Sequence, residues 1–256
     1  MAAESSSGNG EPVPIDTRRR FMFVHLQKTG GTALFQRLRE HFGARGVYPT
    51  PDEKGDVRAV TDLDFLVERL RVHGDEVRVV TGHFPLCTTD LLGGGFATFT
   101  VLRDPVERTL SLLRRRQNAE ERFHGRDLED IYSDPSLHDI IRNHMVKMLS
   151  LTVDEVTSAP LVMPVEFDPQ RLERAKSNLC ERIDLFGLQE HFDDLCADLS
   201  SQFEWDLGEP RFANRTQSAP VSDALRERIA ADNEIDCEFY DFARQLWEER
   251  RRASVA

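Results

Sequence analysis

The chain has 256 residues, 39% of them hydrophobic, and sets 33 basic against 45 acidic side chains for a formal net charge of −12 with histidines neutral. That length predicts one large domain with a core of its own. The acidic balance argues against broad binding to nucleic acid or anionic membranes, which needs a basic field, yet leaves room for a local basic pocket.

Residues 1–18 are small, polar and rich in Pro and Gly, and predict a disordered lead-in. Phe21 to Leu26 is a short apolar run that predicts a buried strand stopping before Gly30-Gly31. Leu34, Phe35, Leu38 and Phe42 then recur at helical spacing. A second helix is expected over 62–73, capped by Thr61, and a strand over 77–81. Gly93-Gly94-Gly95 introduces a strand over 96–102. Asp104-Pro105 follows as N-cap and first-turn proline of a helix to about 117. Helices at about 136–150, 169–181, 188–202 and 221–250, with a short strand over 183–186, complete the domain (19–250) before a frayed tail at 251–256. The alternation predicts an α/β fold, a three-layer P-loop-like arrangement with a mostly parallel central sheet flanked by helices. Ligands in such folds sit where strands end and helices begin.

No run approaches the roughly 18 apolar residues that span a bilayer, and no apolar leader follows a basic start, so no membrane insertion and a cytoplasmic location are expected. Cys87, Cys180, Cys196 and Cys237 are widely spaced, which predicts reduced thiols rather than a disulfide framework or a zinc site.

Two strand-to-helix junctions carry chemistry. The first reads His25-Leu26-Gln27-Lys28-Thr29-Gly30-Gly31-Thr32-Ala33. Paired glycines let the backbone turn tightly against a ligand, and the next helix offers unpaired N–H groups and a positive dipole end for phosphate or sulfate. The chain has 29 arginines and only four lysines (Lys28, Lys54, Lys147, Lys176), so a lysine inside such a turn is informative. The ATPase pattern GxxxxGK[ST] fails here, because its lysine follows the glycines while Lys28 precedes them. At the second junction Arg103 ends a strand, Asp104-Pro105 opens a helix, and Ser111 follows eight residues after the arginine. An arginine there offers a fixed fork of donors to a phosphate, or pairs with a nearby carboxylate.

HLQKTGGTAL resembles the 5′-phosphosulfate loop of sulfotransferases that use 3′-phosphoadenosine 5′-phosphosulfate (PAPS), in the branch containing the carbohydrate sulfotransferases. Arg103-Asp104-Pro105 with Ser111 is similar to the 3′-phosphate motif of the same family. The resemblance implies that Lys28, Thr29, Gly30, Gly31, Thr32 and Ala33 hold the phosphosulfate, and that Arg103 and Ser111 hold the 3′-phosphate. Asn214 and Thr216, in a stretch similar to the family's C-terminal portion, would lie near the nucleotide. His138 to Leu151 resembles its acceptor-side helix, although an ordinary amphipathic helix accounts for the same pattern. His25 matches the loop too and is read as a packing residue.

Sulfuryl transfer needs a base, and histidine has a suitable pKa. His83, in Gly82-His83-Phe84-Pro85 just after a strand, resembles the catalytic Gly-His element of the family; Glu166 is the alternative base. The expectation is a PAPS-dependent sulfotransferase acting in line on a hydroxyl of a glycan, glycolipid or small metabolite, with Lys28 and His83 catalytic and no metal. The rival readings are an ATP/Mg-dependent phosphotransferase and a non-catalytic nucleotide-binding module.

Overall fold

The computed structural model describes residues 19–208 and 220–255. Among these residues are five strands: β1 (Arg20–Val24), β2 (Val47–Tyr48), β3 (Val79–Gly82), β4 (Phe96–Leu102) and β5 (Leu185–Leu188). They form one sheet in the order β2-β3-β1-β4-β5, every neighbouring pair parallel. The helices are α1 (Gly31–Phe42), α2 (Arg58–Thr61), α3 (Leu63–His73), α4 (Thr88–Leu91), α5 (Pro105–Ala119), α6 (Leu128–Tyr132), α7 (His138–Ile141), α8 (His144–Ser150), α9 (Pro169–Glu181), α10 (Phe192–Phe203), α11 (Asp223–Asp232) and α12 (Glu234–Val255).

Strand side chains alternate between the faces, and each face has its own core. Met22 and Val24 of β1 join Val80 and Phe186 against α3, α8, α9 and α12. Phe21 and Phe23 point the other way, packing with Phe99 against α1, α10 and Trp205. The result is the expected three-layer α/β fold. A third cluster, built on Leu110, Leu113, Ile131, Ile141 and Ile229, binds α5 to α6, α7 and α11 beyond the sheet. Among the described residues, no helix is long and apolar enough to cross a membrane.

Several boundaries differ from expectation for local reasons. The cap of α3 is Asp62, whose carboxylate accepts the Phe65 amide at 2.9 Å, because Thr61 closes the short α2 instead. The expected helix over 136–150 is broken at Asn143, which adopts a left-handed φ of 42° between α7 and α8. The helix over 221–250 breaks at Asn233, whose amide side chain donates to the Ile229 carbonyl at 2.9 Å and accepts the Asn143 amide at 2.8 Å. In place of the expected frayed tail, α12 continues to Val255, and Arg251 pairs with Asp198 of α10 at 3.0 Å. The two-residue β2 has no periodic signal of its own. The expected disorder of 1–18 lies outside the described residues.

Candidate nucleotide and acceptor site

Going outward from β1, the chain fills one side of the sheet with β3 and the other with β4, so three neighbouring strands end together at the switch point. His25 and Lys28 follow β1, His83 follows β3 and Arg103 follows β4. Backbone carbonyls of the loop after β1 bracket both neighbours. Arg103 donates from Nη1 to the Lys28 carbonyl at 2.9 Å, and Nδ1 of His83 lies 3.1 Å from the His25 carbonyl.

The loop itself is tightly constrained. Lys28 (φ 69°) and Gly30 (φ 93°) are both left-handed, which lets the chain reverse before α1. No side chain caps α1. Gly31 is required for a different reason: a Cβ there would fall 1.9 Å from Nε2 of His25, so the ring lies directly over the glycine. The Thr29 side chain is fully buried and donates to the Leu26 carbonyl at 2.9 Å. It shapes the turn, and Thr29, which the resemblance implies helps hold the phosphosulfate, is absent from the cavity lining.

That cavity, about 630 Å³, is lined by Lys28, Gly30, Gly31, Thr32, Ala33, His83, Arg103 and Ser111, all of them singled out from sequence. Its size suits a nucleotide-class ligand. His25, read from sequence as a packing residue, also lines it, as do Gln27, Arg115, Arg116 and Gln189, which were not singled out. Ser111, Arg115 and Ala119 share a helix face at four-residue spacing, a signal that was available for Arg115. Four cations (Lys28, Arg103, Arg115, Arg116) face one carboxylate, Glu120, which Arg116 and Arg122 already hold. Burial, reinforced by Arg115 and Arg103, lowers the Lys28 pKa. Among the described residues, Nε of Arg103 is buried without a partner. A multiply charged anion fits this donor set, offsetting the crowded positive charges and giving the orphaned guanidinium edge an acceptor. Asp104 is occupied as the cap of α5, accepting the Glu107 amide at 2.9 Å.

Three histidines stand behind the loop. A carbonyl only accepts, so the contact from His83 to His25 requires hydrogen on Nδ1 of His83 and leaves the lone pair on Nε2. Burial is the main cause of a His83 pKa lowered from the ordinary value, partly opposed by that hydrogen bond and assisted by Lys28. Gly82 (φ 155°) is needed beside it, because a Cβ would lie 2.3 Å from the folded-back Phe84 ring. The His25 and His83 rings sit 4.7 Å apart. The fully buried His144 accepts the Gln27 amide at 3.1 Å, and its Nδ1 has no partner among the described residues. Burial also drives the His25 and His144 pKa values well below the ordinary value.

The remaining candidates lie elsewhere. Glu166 is exposed and lines neither this cavity nor its neighbour. The segment containing Asn143 is core: α8 is buried throughout, and Lys147 donates to the Asp139 and Leu161 carbonyls at 3.1 and 3.0 Å. Asn214 and Thr216 lie outside the described residues. No protein-family model matches the chain, and no curated protein matches it.

Proposed function

We propose that the protein is a PAPS-dependent sulfotransferase. The observation that carries this reading is the convergence of the Lys28 loop, the Arg103–Ser111 junction and His83 on one cationic cavity from three adjacent strand ends. When bound, PAPS supplies a transferable sulfuryl group and a phosphate leaving group. Lys28 and the opening amides of α1 would hold the charge that grows on the 5′-phosphate. Arg103 and Ser111 would hold the 3′-phosphate, which separates this nucleotide from AMP or ATP. His83, half-buried and with a pKa lowered mainly by desolvation, would take the acceptor hydroxyl's proton on Nε2.

Calorimetry with adenosine 3′,5′-bisphosphate and AMP tests the assignment. A hydrogen bond to a charged group contributes roughly 1.5–3 kcal/mol, so the bisphosphate should bind at least about tenfold tighter. Ser111→Ala should narrow that ratio without changing AMP affinity. Arg103→Ala should weaken both nucleotides, since Arg103 also holds the Lys28 carbonyl. Equal wild-type affinity for the two nucleotides would overturn the assignment.

A further inference from the structure

A second cavity of about 680 Å³ meets the first at His25, Thr32 and His83 and differs from it chemically. Phe35, Pro49, Pro51, Val57, Ala59 and Val60 supply apolar wall. Its charges are balanced and mostly engaged. Glu53 is buried, holding Arg69 at 2.7 Å and the Thr50 hydroxyl at 2.8 Å, and Asp56 holds Arg58 at 2.6 Å. Arg39 stacks on Phe35 at 4.4 Å and donates to the Pro49 carbonyl, while Lys54 is exposed. The first cavity instead leaves Lys28, Arg103 and Arg115 without an ion-pair partner among the described residues. Val57 lines the second cavity and is 69% exposed, so a guest there would cover its apolar surface. Two residues before His83, the Thr81 hydroxyl is buried in this lining without a partner among the described residues.

Resting on the sulfotransferase reading, we infer that the acceptor is an uncharged, largely apolar alcohol or phenol lying in this second cavity with its hydroxyl at His83. An anionic glycan would find here no unbalanced cluster of cations, and its many polar groups would face carbon. Transfer forms a bond from the acceptor oxygen to sulfur and breaks the one from sulfur to the 5′-phosphate. The electron pair stays on the phosphate oxygen, and the hydroxyl proton goes to His83.

The probe is 2-naphthol, followed by its fluorescence on the full chain and, with PAPS, by sulfate ester formation. An oligosaccharide of uronic acid units is the competing acceptor. Wild type should bind and sulfate 2-naphthol. Phe35→Ala and Val57→Asp should each weaken its binding about tenfold or more, with affinity for adenosine 3′,5′-bisphosphate unchanged. Val57 is exposed, so that variant keeps the fold intact if Phe35→Ala does not. Undiminished 2-naphthol binding in a folded Val57→Asp variant, or a higher kcat/KM for the oligosaccharide, overturns the inference. Variant-sensitive 2-naphthol binding without preference for the bisphosphate over AMP, and without ester formation, upholds the apolar cavity and overturns the sulfotransferase reading.

Discussion

Lys28 holds its charge at the cost of its backbone, since a left-handed φ costs an L-residue about 1–2 kcal/mol. Lys28→Gly should therefore stabilise the fold by about 1 kcal/mol, or about 2–4 °C in melting temperature. The same change should lower turnover more than it weakens bisphosphate binding, because the charge acts most on the developing leaving group. A melting temperature at or below wild type would show that the turn stores no such strain. His83→Ala should bind the bisphosphate normally and lose about 10²–10⁴ in rate. In wild type the acid limb of kcat/KM should fall below the ordinary histidine value of 6.5, since burial lowers this pKa and the base works only when neutral. An acid limb above that value would assign it to another group. Lys28 and Arg103 were legible in the sequence because glycine and proline mark their turns. His144 was not: the Gln27–His144 contact joins positions 117 residues apart, and periodicity carries no information at that range.

At the level of elements, strand–helix alternation revealed four of the five strands and most of the helices. What it missed are breaks imposed by tertiary contacts. Asn143 and Asn233 end their helices because their side chains serve a distant neighbour: Asn143 accepts the Asp236 amide at 3.0 Å, and Asn233 accepts the Asn143 amide. The buried Asp236 carboxylate then receives the Met145 and Val146 amides that open α8, at 3.0 and 2.8 Å. Burial raises its pKa to about 6 despite the buried Arg108 nearby. Asp236→Ala should cost about 3 kcal/mol or more in urea denaturation, by orphaning two buried amides and leaving Arg108 without counter-charge. A loss below about 1 kcal/mol would remove this carboxylate from the framework that seats α8.

For the whole molecule, three histidines, His144 fully buried and His25 and His83 half-buried, make folding proton-dependent. His25, His83 and His144 have folded pKa values below the ordinary 6.5, so the unfolded chain binds more protons as pH drops past that value. Stability must then fall with acidification, lost from about pH 6.5 downward. Asp236 acts in the opposite direction below about pH 6, because its folded form binds the proton more tightly than the unfolded chain. Thermal melts at pH 7.5 and 5.5 on wild type and His144→Gln isolate one histidine, with the variant losing less stability on acidification. An unchanged pH dependence in His144→Gln would mean that this histidine does not titrate on unfolding.

The partition between the two cavities has a kinetic corollary. Among the described residues only His25, Thr32 and His83 belong to both, so a guest in one leaves nearly all of the other's surface vacant. On the proposed reading, donor and acceptor would be resident together, meeting across the histidines. The cargo would then pass in a single handover, with no covalent stopover on the protein and no need for the first visitor to depart before the second arrives.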